Sequence, residues 1–140
     1  MLAIVWHSRT GAAEALAKAA HDGAEGQARR IAASDISPEV LLAASGYLFV
    51  CPENLATMSG AMKEMFDRCY YALLGQVAGR PYATIIAAGS DGSGAQAQID
   101  DFDGCVGSGI GIELLVASVK CLDDLYDRGS RDRLTSSDFR

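Results

Sequence analysis

The turn His7-Ser8-Arg9-Thr10-Gly11 has the residue types that hold a phosphate group. It places two hydroxyls and a guanidinium between an apolar segment, Leu2 to Trp6, and an alanine-rich segment. If the alanine-rich segment is a helix, its free N-terminal amides and the positive end of its dipole face the same point. The turn therefore predicts an anion site, with simple capping of the helix by the same hydroxyls as the alternative.

Common nucleotide-binding motifs are absent from this turn. Neither the GxxxxGKS/T loop nor the GxGxxG fingerprint occurs there. Nucleoside triphosphates therefore lose support as ligands.

A second segment, Pro52 to Ser59, also has the composition of a binding loop. It is polar but holds Leu55 and Met58, so its amides and carbonyls suit the edge of a flat ligand and its apolar side chains suit the face. The alternative is that Thr57 or Ser59 caps the next helix while the apolar residues fill the core.

Glycine is concentrated in a third segment, Gly89 to Gly94, which has three glycines in six residues. Glycine lets a backbone approach a ligand closely or take a positive φ, although a tight turn would also explain the segment. In an open parallel sheet, ligands bind beyond the carboxyl ends of the strands. All three segments would lie at that edge, which favours one shared site.

The hydrophobic pattern predicts the sheet that would bring these segments together. Short apolar runs alternate with helical patterns, as in parallel strands joined by crossover helices. Arg29 and Arg30 place the second strand at an edge. The predicted strands are Leu2 to Trp6, Ala28 to Ala33, Gly46 to Cys51, Tyr82 to Ala88 and Ile112 to Ala117. The predicted helices are Gly11 to His21, Pro38 to Ala44, Ser59 to Leu74, Gly94 to Asp103 and a short one from Leu122 to Asp127.

Composition and charge limit the class of protein. The 140 residues are enough for one domain, predicted at 1–128, with a polar tail at 129–140. A net charge of −6 and the lack of a long apolar run disfavour nucleic acid and membrane partners. Four cysteines without a CxxC pair, and no signal-peptide pattern, favour a reduced, cytoplasmic protein without a metal site.

The strings HSRTGAAEALA, GYLFVCPENLATMSGAMKEMFDR and PYATIIAAGSDGSGAQAQI carry a family resemblance. They resemble, in turn, the phosphate loop, the ring-binding loop with its helix, and the third flavin-side loop of flavodoxin-like NAD(P)H-dependent FMN reductases and quinone reductases. The middle string is the most specific. The resemblance covers about residues 2–117 and implies a flavodoxin-like three-layer α/β/α sandwich. It also implies five parallel strands in the order 2-1-3-4-5 and a shortened or altered last helix.

This resemblance implies an FMN-binding oxidoreductase that passes electrons from NAD(P)H through FMN to a quinone or similar small acceptor, without a catalytic side chain of its own. A homodimer or higher homo-oligomer is also expected. A flavodoxin-type electron carrier, and a flavodoxin-fold protein that has lost FMN and binds a partner, remain alternatives. The residues that would surround the cofactor are Ser8, Arg9, Thr10, Gly11, Ala12, Ala13, Pro52, Glu53, Asn54, Leu55, Ala56, Thr57, Met58, Gly89, Ser90, Asp91, Gly92 and Gly94.

Ala12 and Ala13 depart from the family, which commonly has asparagine and threonine there. The loss of at least one side-chain hydrogen bond to phosphate predicts weaker FMN retention, although backbone amides and Arg9 remain. His7 has two interpretations, polar filling at a strand end or assistance to phosphate binding or proton transfer. Cys51 lacks the phosphate loop that a phosphatase nucleophile needs.

Overall fold

Parallel strands alternate with helices in the computed structural model, which describes residues 1–106. In chain order the elements are β1 (Leu2–Trp6), α1 (Ala12–Gly23), β2 (Ala28–Ala32), a 3₁₀ turn (Ala33–Asp35), α2 (Pro38–Ala43), β3 (Gly46–Asn54), β4 (Thr57–Met58), α3 (Gly60–Leu73), β5 (Tyr82–Ala87) and α4 (Ser93–Val106).

The sheet places β1 between β2 and β3, with β5 on the far side of β3, and all four strands are parallel. This is the predicted order of the first four predicted strands, with β2 at the edge, and the predicted α/β fold is confirmed. β4 is antiparallel to the end of β3. The strand predicted at Ile112 to Ala117, the short helix from Leu122, the altered last helix and the tail at 129–140 lie outside the described residues.

Two apolar layers cover the sheet, one on each face. On one face, Ala13 and Ala17 of α1 are buried against Ile4 and Val50. Their small side chains let the helix lie close to the strands. On the other face, α2, α3 and α4 cover a larger core. The sheet is therefore buried on both faces, as its apolar strands predict.

The helix α3 lies within its predicted span, Ser59 to Leu74, and buries one apolar face. Its exposed face carries two ion pairs, Lys63 to Asp67 and Glu64 to Arg68. Tyr70 is partly buried at the margin of the apolar face. The fully buried members are Met62, Met65, Phe66, Cys69 and Leu73.

The strand β3 is longer than its sequence predicts. It continues beyond Cys51 to Asn54 and turns back into β4. Pro52 has no backbone N–H to donate, but it still pairs in register with Ala87 of β5. The segment expected to be a loop is therefore mostly a β-hairpin.

None of the helices within residues 1–106 has the length and apolar character needed to cross a membrane.

Candidate functional site

The three segments singled out by their sequence all lie at the carboxyl edge of the sheet. β1, β3 and β5 are neighbouring parallel strands, so the segments that follow them leave the same edge. The chain passes from β1 to α1 on one face and from β3 to α3 on the other. A crevice between β1 and β3 is the usual ligand position in such a sheet.

The turn before α1 leaves the start of that helix available to an anion. Ser8 Oγ accepts a hydrogen bond from the Gly11 amide at 3.0 Å, and Gly11 has a φ of 97°. No side chain within the described residues caps α1. Arg9 and Thr10 are exposed beside the helix start. The capping alternative therefore does not hold, because the Ser8 hydroxyl closes the turn and leaves the first helical amides uncapped.

Arg30 adds a positive charge close to the same helix start. Its guanidinium carbon lies 5.2 Å from the centre of the Trp6 ring, and its Nη1 lies 4.0 Å from Glu14 Oε1 in the first turn of α1. That Nη1 is buried and has no hydrogen-bond partner among the described residues. The carboxylate of Glu14 would repel an anion at the helix start, and the positive charge of Arg30 offsets that repulsion. The sequence pattern indicated only an edge-strand role for Arg30.

The hairpin formed by β3 and β4 has a strained tip. Its two turn residues, Leu55 and Ala56, have φ values of 53° and 58°, a conformation that ordinarily selects asparagine and glycine. Such backbone strain is concentrated at functional sites. Leu55 is 98% exposed, whereas Met58 is 4% exposed. Of the two apolar residues in this segment, Met58 belongs to the core and Leu55 faces outward.

Glu53 ties the hairpin to the third segment. Its carboxylate accepts hydrogen bonds from Ser90 Oγ at 2.7 Å and from the Ala95 amide at 3.1 Å. The second contact satisfies an amide in the first turn of α4. The family resemblance placed Glu53 among the residues around the cofactor but did not identify these partners.

The packing of the hairpin on α4 requires glycine at position 94. A Cβ built there would lie 2.1 Å from the Ala56 carbonyl oxygen, so no side chain fits while the hairpin keeps its position. Gln98 Oε1 also accepts a hydrogen bond from the Met58 amide at 2.9 Å. The second and third segments therefore form one packed unit.

Asp91 begins α4. Its carboxylate accepts hydrogen bonds from the Ser93 amide at 3.0 Å and from Ser93 Oγ at 2.8 Å. These bonds hold the pKa of the Asp91 carboxyl below its usual range. Asp91 is exposed and ionised, and its main contact is with its own turn.

His7 joins the first segment to the start of α3. Its Nδ1 lies 2.9 Å from the hydroxyl oxygen of Ser59, which is fully buried. Burial, followed by the nearby charge of Arg9, lowers the pKa of His7. Neither Thr57 nor Ser59 caps α3 with its side chain, since the Thr57 hydroxyl bonds to the carbonyl oxygen of Asn54. His7 and Ser59 are 52 positions apart in the sequence, so sequence spacing could not have identified this pair.

Cys51 is not a nucleophile. It is fully buried within β3, and burial raises the pKa of its thiol to about 11. No group of histidine, cysteine and acidic residues in the described part of the chain could hold a metal ion.

Known structures define the fold. A flavodoxin from the domain Archaea has a TM-score of 0.65 and 21% identity, covering 92% of this chain and 94% of its own. The flavoenzyme NAD(P)H:(acceptor) oxidoreductase FerB from Paracoccus denitrificans has a TM-score of 0.62 and 16% identity, covering 94% and 93%. The Trp repressor binding protein from Bacillus subtilis has a TM-score of 0.61 and 18% identity, covering 99% and 100%. The protein therefore has the flavodoxin fold.

The chain belongs to the NADPH-dependent FMN reductase family, which matches residues 37–109, or 73 of the 140 residues. It is therefore an FMN-dependent oxidoreductase, with NAD(P)H as the reductant. The matched region includes the hairpin and the third segment, whereas the turn at Ser8 to Gly11 lies outside it. No curated protein matches the chain significantly.

The residues at the carboxyl edge fit FMN. The uncapped start of α1, with Arg9 and Thr10 exposed beside it, suits a phosphate. The exposed Leu55 on a strained tip suits the face of a flat ring. Polar donors and an apolar surface are thus present at one edge.

Proposed function

We propose that the protein passes electrons from NAD(P)H through FMN to a quinone or a similar small acceptor. The main support for this proposal is that hydrogen bonds connect all three segments at one edge of the sheet. His7 bonds to Ser59, and Glu53 bonds to Ser90 and to the Ala95 amide. An FMN molecule needs such a continuous edge, because its phosphate and its ring are held by different segments.

We assign the phosphate to the turn and the start of α1, and the ring to the hairpin and the third segment. The turn supplies backbone amides, the Thr10 hydroxyl and the Arg9 guanidinium. The hairpin supplies Leu55 as an apolar cover, while Glu53 and Gly94 hold it in place. The proposed contact residues are Ser8 to Ala13, Pro52 to Met58, and the third-segment positions Gly89, Ser90, Asp91, Gly92 and Gly94.

When FMN is bound, it can accept a hydride and deliver two electrons. The chain itself supplies position and charge. Its buried Cys51 keeps its proton at neutral pH, because burial raises the pKa of its thiol to about 11. The uncapped amides and Arg9 hold the anionic end, and the hairpin excludes water from one face of the ring.

The test is an anaerobic mixing experiment with the FMN-loaded protein. Addition of NADPH or NADH should bleach the oxidised flavin absorption band within seconds, and addition of a quinone should restore it. A flavin that stays oxidised after both nucleotides would make the protein an electron carrier of the flavodoxin type. A protein that binds no FMN would be a flavodoxin-fold protein that acts through a partner.

We further propose a cytoplasmic location. Cys51 and Cys69 are both buried free thiols, as is usual in a reducing compartment.

A further inference from the structure

The pair His7 and Ser59 lies between two cofactor segments. His7 directly follows β1 and begins the turn, and Ser59 directly follows β4 and precedes α3. Their side chains meet at 2.9 Å, and Ser59 has no exposed surface. A hydrogen bond at such a buried position fixes the distance between the two backbones that carry it.

The donor in this hydrogen bond follows from the buried hydroxyl. Ser59 has one proton to donate, and the only acceptor for it within residues 1–106 is His7 Nδ1. The neutral imidazole therefore carries its proton on Nε2. If the ring gained a second proton, Nδ1 would become a donor, and the hydroxyl of Ser59 would lose its acceptor.

The charges around His7 also favour the neutral ring. Arg9, in the turn itself, is the charged side chain that acts on the imidazole, and it lowers the pKa of His7 together with burial. On the β3 side, the thiol of Cys51 has a pKa of about 11 and is uncharged. No carboxylate in the described residues offsets this by raising the pKa of His7.

We propose that neutral His7 is a positioning residue, which through Ser59 holds the phosphate turn and the hairpin at the separation that one FMN molecule spans. This inference rests on the proposed function. FMN must contact both segments at once, whereas riboflavin, which lacks the phosphate, needs only the hairpin side. Loss of the hydrogen bond should therefore weaken FMN binding more than riboflavin binding.

The test uses four variants of the full chain: His7→Leu, Ser59→Ala, the double variant and His7→Asn. Binding of FMN and of riboflavin is measured by the fluorescence of Trp6, the single tryptophan. His7→Leu and Ser59→Ala should each weaken FMN binding about tenfold, the loss expected for one hydrogen bond, and riboflavin binding much less. The double variant should be no weaker than the weaker single variant.

His7→Asn is the conservative control. Its amide places a hydrogen-bonding group near the position of Nδ1 but does not titrate. It should bind FMN like the wild type above neutral pH. Burial and the charge of Arg9 lower the pKa of folded His7 below 6.5, so the wild type should lose affinity relative to His7→Asn only once the pH falls below that lowered pKa. The titration of the FMN phosphate is common to both proteins and cancels in this comparison.

Two results would overturn the inference. The first is that both single variants unfold cooperatively and bind FMN with unchanged affinity. The second is equal loss of FMN and riboflavin affinity, which indicates general damage to the hairpin. Neither result touches the proposed function, which fails only if the wild type does not bind FMN or its flavin is not reduced by NAD(P)H.

Discussion

Leu55 is the residue in the described structure whose backbone strain and exposure are hardest to explain without a ligand. It is almost fully exposed and has a positive φ, so it buries no surface and adds backbone strain. The strain is of the order of 1–3 kcal/mol for such a residue. A bound flat ring would give the side chain an apolar surface to cover.

Replacement of Leu55 should separate stability from binding. Leu55→Gly should raise the free energy of unfolding of the FMN-free protein by about 1 kcal/mol, because glycine accepts the positive φ. The same change should weaken FMN binding about fivefold through lost apolar contact. Urea unfolding and FMN titration measure the two effects.

Ala56→Gly is the matched control, since Ala56 has the same strain without the large side chain. It should gain stability and keep the apolar contact of Leu55, so its FMN affinity should fall less than that of Leu55→Gly. If both variants bind FMN equally well, Leu55 does not cover the ring.

Ala12 is the second residue with a direct test. It lies at the first position of α1 and is half-buried. Ala12→Asn should restore one side-chain hydrogen bond to the phosphate and tighten FMN binding about fivefold. Ala19→Asn, on the exposed side of the same helix, should leave affinity unchanged, and an equal gain in both variants would refute a local contact.

At the residue scale, the sequence predicted which residue types gather at the site but not which partners they choose. Ser8 and Thr10 were recognised as hydroxyls suited to an anion. The partners of Glu53 and His7 lie 37 to 52 positions away, and only the fold brings them together.

The elements that carry the site were mostly predictable. β1 has its predicted limits, and α3 lies within its predicted span of Ser59 to Leu74, because apolar periodicity reflects burial directly. The hairpin was not predictable. Its turn residues, Leu55 and Ala56, are not the asparagine and glycine that usually mark a two-residue turn, so tertiary contacts with α4 must supply what the local sequence lacks.

Gly94 tests those contacts between the hairpin and α4. Gly94→Ala would place its Cβ 2.1 Å from the Ala56 carbonyl oxygen, which forces the hairpin to move. We expect a loss of about 1–3 kcal/mol in the free energy of unfolding and a loss of FMN affinity beyond about tenfold. Thermal unfolding and FMN titration measure both.

Gly23→Ala, at the end of α1, is the control, because a Cβ there meets no atom within 4 Å. It should change neither property appreciably. Unaltered FMN binding by Gly94→Ala would show that the position of the hairpin does not matter for the cofactor.

At the scale of the whole molecule, His7 couples folding to pH. Its pKa is lowered in the folded state from the ordinary 6.5, so the unfolded chain binds more protons in the window below 6.5. The stability of the FMN-free protein should therefore decrease as pH falls through 6.5 and level off below the folded pKa. The lowered carboxyl pKa of Asp91 acts at lower pH, since its ordinary value is 3.8.

His7→Asn should remove this dependence. Urea midpoints measured across the window should decline in the wild type and stay flatter in the variant. Parallel curves for the two proteins would contradict the assignment of the neutral ring to the folded state.

We propose that the carboxyl edge of this sheet binds one FMN through both its phosphate and its ring. The most direct measurement is a calorimetric titration of FMN into the purified chain, with riboflavin as the comparison ligand. We expect saturation at one FMN per chain, with riboflavin binding more weakly because it leaves the start of α1 unused. Absence of saturable FMN binding, or equal affinity for FMN and riboflavin, would contradict it.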